Sequence, residues 1–416
     1  MTMTGDSRRD GLLGLVIGIE AAAARLEARL DLDPEVAGLW RLEAALTEAV
    51  RSASLEDAPV SERDLLLRMT DNHLSDQNVQ VVNAALGALR LLRYPADPRA
   101  GMVGAIRRIE SVFPAPRAID GRTLSPGTDR LDAQLINEAI SPLLTRPGTP
   151  VTTALRVAAT YSLLTGQTSP MAERSLFSAV EGALRSSDAP AKRGLITGEK
   201  DAGPQDFTAI RASWIVMPAT ALQVDGLRAW SPNTLQGMVN LLDRGLRSLH
   251  AEIGRFGEIR RWLEGARAFA LSGRGAAVRP RFVRFLMENP LVTSGLVMRR
   301  LDVGRRGAID LIQAAETAGL LSCLTPRKQM RYWAITSMAE RLFQAQARPR
   351  RSLHTGAIAV PAFGEGRAHR PDMPVQVSPE ERRRRRESME AAFADLDAIL
   401  RDTDQILASH NRRHQK

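Results

Sequence analysis

A mainly α-helical fold is predicted for this chain, and three observations predict it. Aromatic residues make up only 4% of the 416 positions. Long stretches place apolar side chains three and four residues apart, the spacing that gathers them on one helix face. Runs in which β-branched residues alternate with polar ones, the mark of half-buried strands, are scarce. The length allows two or three domains with ample chain to bury a core. A single cysteine, Cys323, excludes an internal disulfide framework and fits a reducing cytoplasm.

The first helix is expected over 12–30, where Leu15, Ile19, Ala23, Leu26 and Leu30 form a stripe. Ser7-Arg8-Arg9 before LLGLVIGI has the look of a twin-arginine export signal. The apolar run is short, however, and Glu20, Arg25, Glu27 and Arg29 carry an amphipathic pattern onward, so the segment reads as core. A helix over 40–50 follows, and Pro59 breaks the connection. Ser61 with Asp64 three residues on makes a capping box ahead of Leu65-Leu66-Leu67. Val79, Val82, Leu86, Leu89 and Leu92 give the next helix, halted at Tyr94-Pro95.

Residues 113–150 are rich in Pro, Gly and Thr and read as loop, with a short helix over 129–140. Helices resume over 152–164 and 171–185, an irregular stretch fills 186–204, and helices are expected over 207–224 and 233–271. Gly273-Arg274-Gly275 reads as a hinge. No stretch is long and apolar enough to span a bilayer, so no membrane partner is expected.

The segment 280–335 breaks into helix, helix, turn, helix and strand pair by local rules. Phe282, Phe285 and Leu286 share one face, and Asn289-Pro290 ends that helix because proline excludes the preceding residue from the α region. Thr293 caps a second helix whose inner face is Val297 and Leu301. Asp302 and Gly304 fall where the chain must turn sharply. A third helix, 305–318, buries Ala308, Leu311, Ile312 and Ala315 and leaves Arg305, Arg306, Asp310 and Gln313 outside; Gly319 stops it. Residues 320–324 and 331–335 then read as strands around Thr325-Pro326-Arg327-Lys328-Gln329, a basic wing.

This is the pattern of a winged helix-turn-helix, expected over 280–347. Two arginines in the first turn of a braced helix suit a major groove, where arginine pairs in bidentate fashion with guanine or holds phosphate. Candidate DNA-binding residues are therefore Thr293, Arg305, Arg306, Asp310 and Gln313, with Arg327, Lys328 and Arg331 gripping the neighbouring backbone. Charge agrees. Residues 279–351 carry fourteen Arg or Lys and five Asp or Glu, a net +9 against +10 for the whole chain. A patch so localised is the electrostatic footprint of a polyanion.

The stretch PLVTSGLVMRRLDV…AIDLIQAAETAGLLSCLT…RYWAI resembles the C-terminal helix-turn-helix of an uncharacterised family, mostly from plasmids of plant-associated alphaproteobacteria. That module is similar in turn to the winged helix ending many Fic-type proteins. SASLEDAPVSERDLLL resembles the segment preceding the long helical domain in the same family. The resemblance implies a DNA-binding role and supplies no ligand or activity. Met298 and Asp302 stand here where such motifs have a small residue and a glycine.

Beyond the wing a helix over 336–347 gives way to 348–377, a Pro-, Gly- and Arg-containing stretch without periodicity that reads as a flexible basic linker. Order returns at Ser378-Pro379-Glu380-Glu381, an N-cap followed by proline at the first helical position. In this C-terminal amphipathic helix, 378–416, Met389, Phe393, Leu396, Leu400, Thr403 and Leu407 form a heptad stripe. It reads equally as a face docked on the core or as a homodimer seam through 380–409.

Chemistry-bearing patterns are weak. Pro361 to Arg367 includes Gly-Glu-Gly-Arg but lacks the histidine of the Fic catalytic loop, and Ser52 with Glu56 has that family's inhibitory spacing with Asp57 in place of its glycine. Gly194 to Asp201 is not a phosphate loop, since Glu199 separates Gly198 from Lys200 and no Ser or Thr follows. Only His410 and His414, in the tail, have metal spacing. The expectation is a non-enzymatic protein without cofactor or metal: a cytoplasmic, sequence-specific binder of double-stranded DNA that regulates transcription. The competing expectation is an interaction scaffold related to degenerate Fic-like proteins.

Overall fold

The computed structural model describes residues 5–53, 62–63, 65–66, 79–93, 96–113, 131–165, 170–185, 223–224, 227–228, 235–272, 277–324 and 331–339, with isolated helical positions at 383, 384, 387 and 394. The protein is mainly helical. Its body comprises α1 (Gly5–Leu32), α2 (Pro34–Ala53), α3 (Val79–Arg93), α4 (Met102–Val112), α5 (Ala133–Ala139), α6 (Pro150–Thr165), α7 (Pro170–Arg185) and α8 (Leu235–Leu271). A 3-10 turn, Ser141–Thr145, precedes α6. Among the described residues no helix is long and apolar enough to cross a membrane.

Proline marks where several of these helices begin. Pro34 opens α2 behind Asp33, whose Oδ1 accepts from the Val36 amide at 3.3 Å. Pro150 opens α6 behind Thr149, whose Oγ1 accepts from the Thr152 amide at 3.3 Å while Thr152 Oγ1 accepts from the Thr149 amide at 2.9 Å. Proline at the first helical position forfeits only an amide that has no partner within the helix. α6 packs along α7, α1 along α8, and α2 sits between α3 and α8. The run once resembling an export signal is core: Val16, Ile19, Ala23, Leu26 and Leu30 are buried, with Leu15 partly covered against them.

A C-terminal unit follows: α9 (Arg279–Glu288), β3 (Leu291–Val292), α10 (Ser294–Leu301), α11 (Arg305–Thr317), β4 (Leu321–Cys323) and β5 (Trp333–Ile335). Its three strands form one antiparallel sheet in the order β3-β5-β4. Phe282, Phe285 and Leu286 from α9, Val297 and Leu301 from α10, and Ala308, Ile312 and Ala315 from α11 are buried in its core. The core of this unit is continuous with that of the body.

Several expectations are corrected. α4 was not foreseen, and β3 adds a third strand where a pair was expected. Leu311 is only partly covered, because α11 turns its buried seam along Ala308, Ile312 and Ala315. The helix expected over 207–224 does not reach its end: Gln223–Val224 is a strand, β1, antiparallel to β2 (Leu227–Arg228). The intervening Asp225-Gly226 is a strong hairpin signal that outweighs helical spacing there. The rest of that span lies outside the described residues, as do Asp64, the hinge at 273–275, the linker 348–377 and the heptad positions Met389 to Leu407.

Candidate nucleic-acid interface

Local chemistry sets the path from α9 to α11. Asn289 closes α9, its Nδ2 donating to Phe285 O at 3.2 Å, and Pro290 delivers the chain to β3. Thr293 then caps α10: its Oγ1 accepts from the Leu296 amide at 3.1 Å. Asp302 takes the left-handed conformation, φ 54°, and turns the chain out of α10. Gly304, extended, precedes α11, and Gly319, φ 73°, terminates it. A Cβ at Gly319 would meet no atom, so its requirement is conformational rather than steric.

The consequence is an α11 whose outer face is left exposed among the described residues. Arg305, Arg306, Asp310 and Gln313 are all exposed, and Ile309 lies among them. No hydrogen bond or ion pair engages the Arg305 or Arg306 side chain among the described residues. Arg331, on the loop side of the β4–β5 hairpin just before β5, is exposed as well. Arg327 and Lys328 lie outside the described residues. Thr293 is half-buried and already serves the backbone, so its place in the unit is that of a cap. Sequence reasoning passed over Arg284, Arg299 and Arg300, exposed on α9 and α10. The signal was available for Arg284 and Arg299, which fall opposite the apolar stripe of their helices.

The hairpin is tied to the body at both roots. Leu320 O, ahead of β4, accepts from Thr336 N at 3.0 Å and from the Trp262 indole of α8 at 3.0 Å. Beyond β5, Ser337 Oγ donates to Glu43 Oε1 of α2 at 3.0 Å. Arg279, at the start of α9, stacks its guanidinium 4.5 Å over the Phe269 ring and donates to Ser272 Oγ at 2.8 Å. These contacts hold the unit by surfaces other than the exposed face of α11.

The body also contains ion pairs that sequence reasoning did not find. Glu43, 1% exposed, pairs with Arg255 of α8. Glu48 pairs with Arg174 at 2.9 Å, and Arg185 bridges Glu20 at 2.8 Å and Glu181 at 3.2 Å. Burial acts against the Arg185 charge, but Glu181, Glu20 and Glu27 outweigh it and push its pKa up. Burial likewise raises Glu181 and Glu27 above the usual carboxylate range, with Arg185 opposing. The signal lay in α2, where apolar residues on every side leave Glu43, Thr47 and Glu48 no solvent face.

This network is built for packing. Its pairs Glu43–Arg255, Glu48–Arg174 and Glu20–Arg185 join different helices, and beside Glu48 and Ser52 lies a cavity of only about 30 Å³, room for little more than water. Ser52 donates to Glu48 Oε1 at 3.2 Å; Glu56 lies outside the described residues. Among the described residues no group of His, Cys, Asp and Glu is placed to hold a metal ion.

Compared with models of protein families and with curated protein sequences, the chain matches none.

Proposed function

We propose that this protein is a sequence-specific binder of double-stranded DNA and a cytoplasmic transcriptional regulator, working without a cofactor. The order α9-β3-α10-α11-β4-β5, with β5 central in its sheet, supports reading the unit as a winged helix-turn-helix. In this reading α11 enters the major groove and the hairpin grips flanking phosphates. The observation that carries it is the pair Arg305 and Arg306, exposed in the first turn of α11 and engaged by no other described side chain. Guanidinium groups left free at a helix start have bidentate geometry to offer a guanine edge or a phosphate. Asp310 and Gln313 add an acceptor for cytosine and an amide for adenine.

The net +9 carried by residues 279–351 supports the same reading, because a polyanion partner rewards localised charge. Binding in gel shifts across a salt series, with DNA from the gene's own upstream region and random DNA as competitor, tests it. The expected outcome is a preference for one site that survives physiological salt. Affinity extinguished by such salt and equal for all sequences would leave the scaffold reading in its place. A homodimer through 380–409 belongs to the same proposal. The described positions there are helical, with Arg383 bridging Glu387 at 3.1 Å. Sedimentation of the chain with and without 380–416 tests it, an unchanged mass overturning that element's role.

A further inference from the structure

The outer face of α11 carries one large apolar residue that lies off the buried seam of the helix. Ile309 is 36% exposed, whereas the other large apolar side chains among the described residues of the C-terminal unit are buried or partly covered. The buried seam of α11 runs through Ala308, Ile312 and Ala315 and passes Ile309 by. Helix propensity does not account for it either. A branched Cβ loses rotamer freedom against the preceding turn, so an exposed helical position favours a straight polar chain. Ile309 therefore leaves more than a third of its surface in water at a position where a straight polar chain would suit the helix better.

Its neighbours say what it faces. Arg305 and Arg306 lie one turn before it and Gln313 one turn after, all exposed on the same face. A protein interface would need roughly 800 Å² per partner with a core depleted in charge, and this face offers one apolar side chain among four polar or charged ones. The major groove, in contrast, presents a single kind of apolar group, the 5-methyl of thymine, set among hydrogen-bonding edges.

We infer that Ile309 reads the methyl group of a thymine lying between the base pairs met by Arg306 and by Gln313. The inference rests on the reading of α11 as the helix in the groove. At about 1.5 Å of rise per residue, Arg306 and Gln313 stand about 4.5 and 6 Å from Ile309 along the helix axis. With base pairs stacked about 3.4 Å apart, the thymine falls one or two steps from each of those contacts. Arginine and glutamine select guanine and adenine, so the site consists of a thymine flanked by purine contacts.

The test uses the full chain. Duplexes are first selected from a random library at moderate salt. Each thymine of the selected site is then replaced singly by deoxyuridine, which keeps every hydrogen-bonding atom and removes only the methyl. At one position the replacement weakens binding about fourfold, the effect of uncovering one methyl-sized apolar group. Ile309→Ala binds the thymine and deoxyuridine duplexes equally, and Ile309→Val keeps most of the discrimination. Ile309→Val keeps most of the covered surface and melts with the parent, and comparing each variant on the two duplexes cancels any stability lost in Ile309→Ala. Selected sites with no methyl-sensitive thymine, or equal sensitivity in Ile309→Ala, overturn the inference while leaving DNA binding intact. A selection that enriches no duplex overturns the reading on which it rests. Unchanged DNA affinity in Ile309→Ala with an altered mass in solution assigns the residue to a protein contact instead.

Discussion

The Trp262 indole on α8 donates to the carbonyl oxygen of Leu320 at 3.0 Å, across 58 positions of chain, in a buried setting. That oxygen also accepts from Thr336 N, so one carbonyl joins the body to both arms of the β4–β5 hairpin. Trp262→Phe removes the donor and leaves the oxygen its second partner. The expected loss in denaturant unfolding is that of one ordinary hydrogen bond, about 1 kcal/mol, plus the cost of the space left by the buried indole, and not that of a stranded acceptor. Amide exchange in 320–336 accelerates in the same variant.

At the other root, Glu43 is fully enclosed and held by Arg255 and Ser337. Arg255→Met strands the carboxylate and costs on the order of 3–5 kcal/mol. Glu43→Gln combined with Arg255→Met removes both charges and recovers much of that loss, a coupling that a double-mutant cycle reads directly. A double-variant loss equal to the sum of the two single losses would mean that the pair does not act as a unit.

How legible all this was in the sequence depended on whether the cause was local. Thr293's cap, Asp302's left-handed turn, Gly319's stop and the apolar seam of α9 and α10 each follow from a few adjacent residues, and each stands where those residues put it. β3 was not legible, because Leu291–Val292 is too short to alternate and is a strand only through pairing with Trp333 and Ala334. The buried pairs Glu43–Arg255 and Glu48–Arg174 join positions more than a hundred residues apart, which no spacing rule reaches. Ile309 was overlooked for the opposite reason. Helical spacing marks it as outward, but an apolar residue there acquires meaning only once its neighbours prove uncovered.

Asp302 occupies backbone that costs an L-residue about 1–2 kcal/mol, least for Asp and Asn. Asp302→Val destabilises the unit by about that amount, whereas Asp302→Gly is close to neutral, its relief of strain offset by a freer unfolded chain. Thermal melts of the two variants check the order. Equal melts would mean that the turn between α10 and α11 adjusts its backbone.

Burial raises the Glu27 carboxyl, with Arg185 opposing and Glu20 and Asp31 adding to the rise, and its Oε1 is enclosed without a hydrogen bond. A carboxyl raised in the folded state contributes fully below its unfolded pKa, and that contribution is lost as pH rises through the folded value. Glu27→Gln therefore melts with the parent near pH 4 and above it near pH 7. A variant less stable at neutral pH would show that the attraction of Arg185 exceeds the penalty of burial.

Arg306 and Arg331 are both exposed, yet they stand on different elements, one on the outer face of α11 and one on the loop side of the hairpin. If the first meets base edges and the second meets phosphate, their removal leaves different signatures. Arg306→Ala costs about 1–3 kcal/mol on the preferred site and little on random DNA. Arg331→Ala, or Lys328→Ala in the same basic stretch, lowers affinity for every sequence and reduces the slope of log K against log salt by about one. The comparison requires both slopes, since a loss on one duplex at one salt concentration cannot separate the two roles. Equal losses on specific and random DNA for Arg306→Ala would remove base reading from α11 and reduce it to a phosphate clamp.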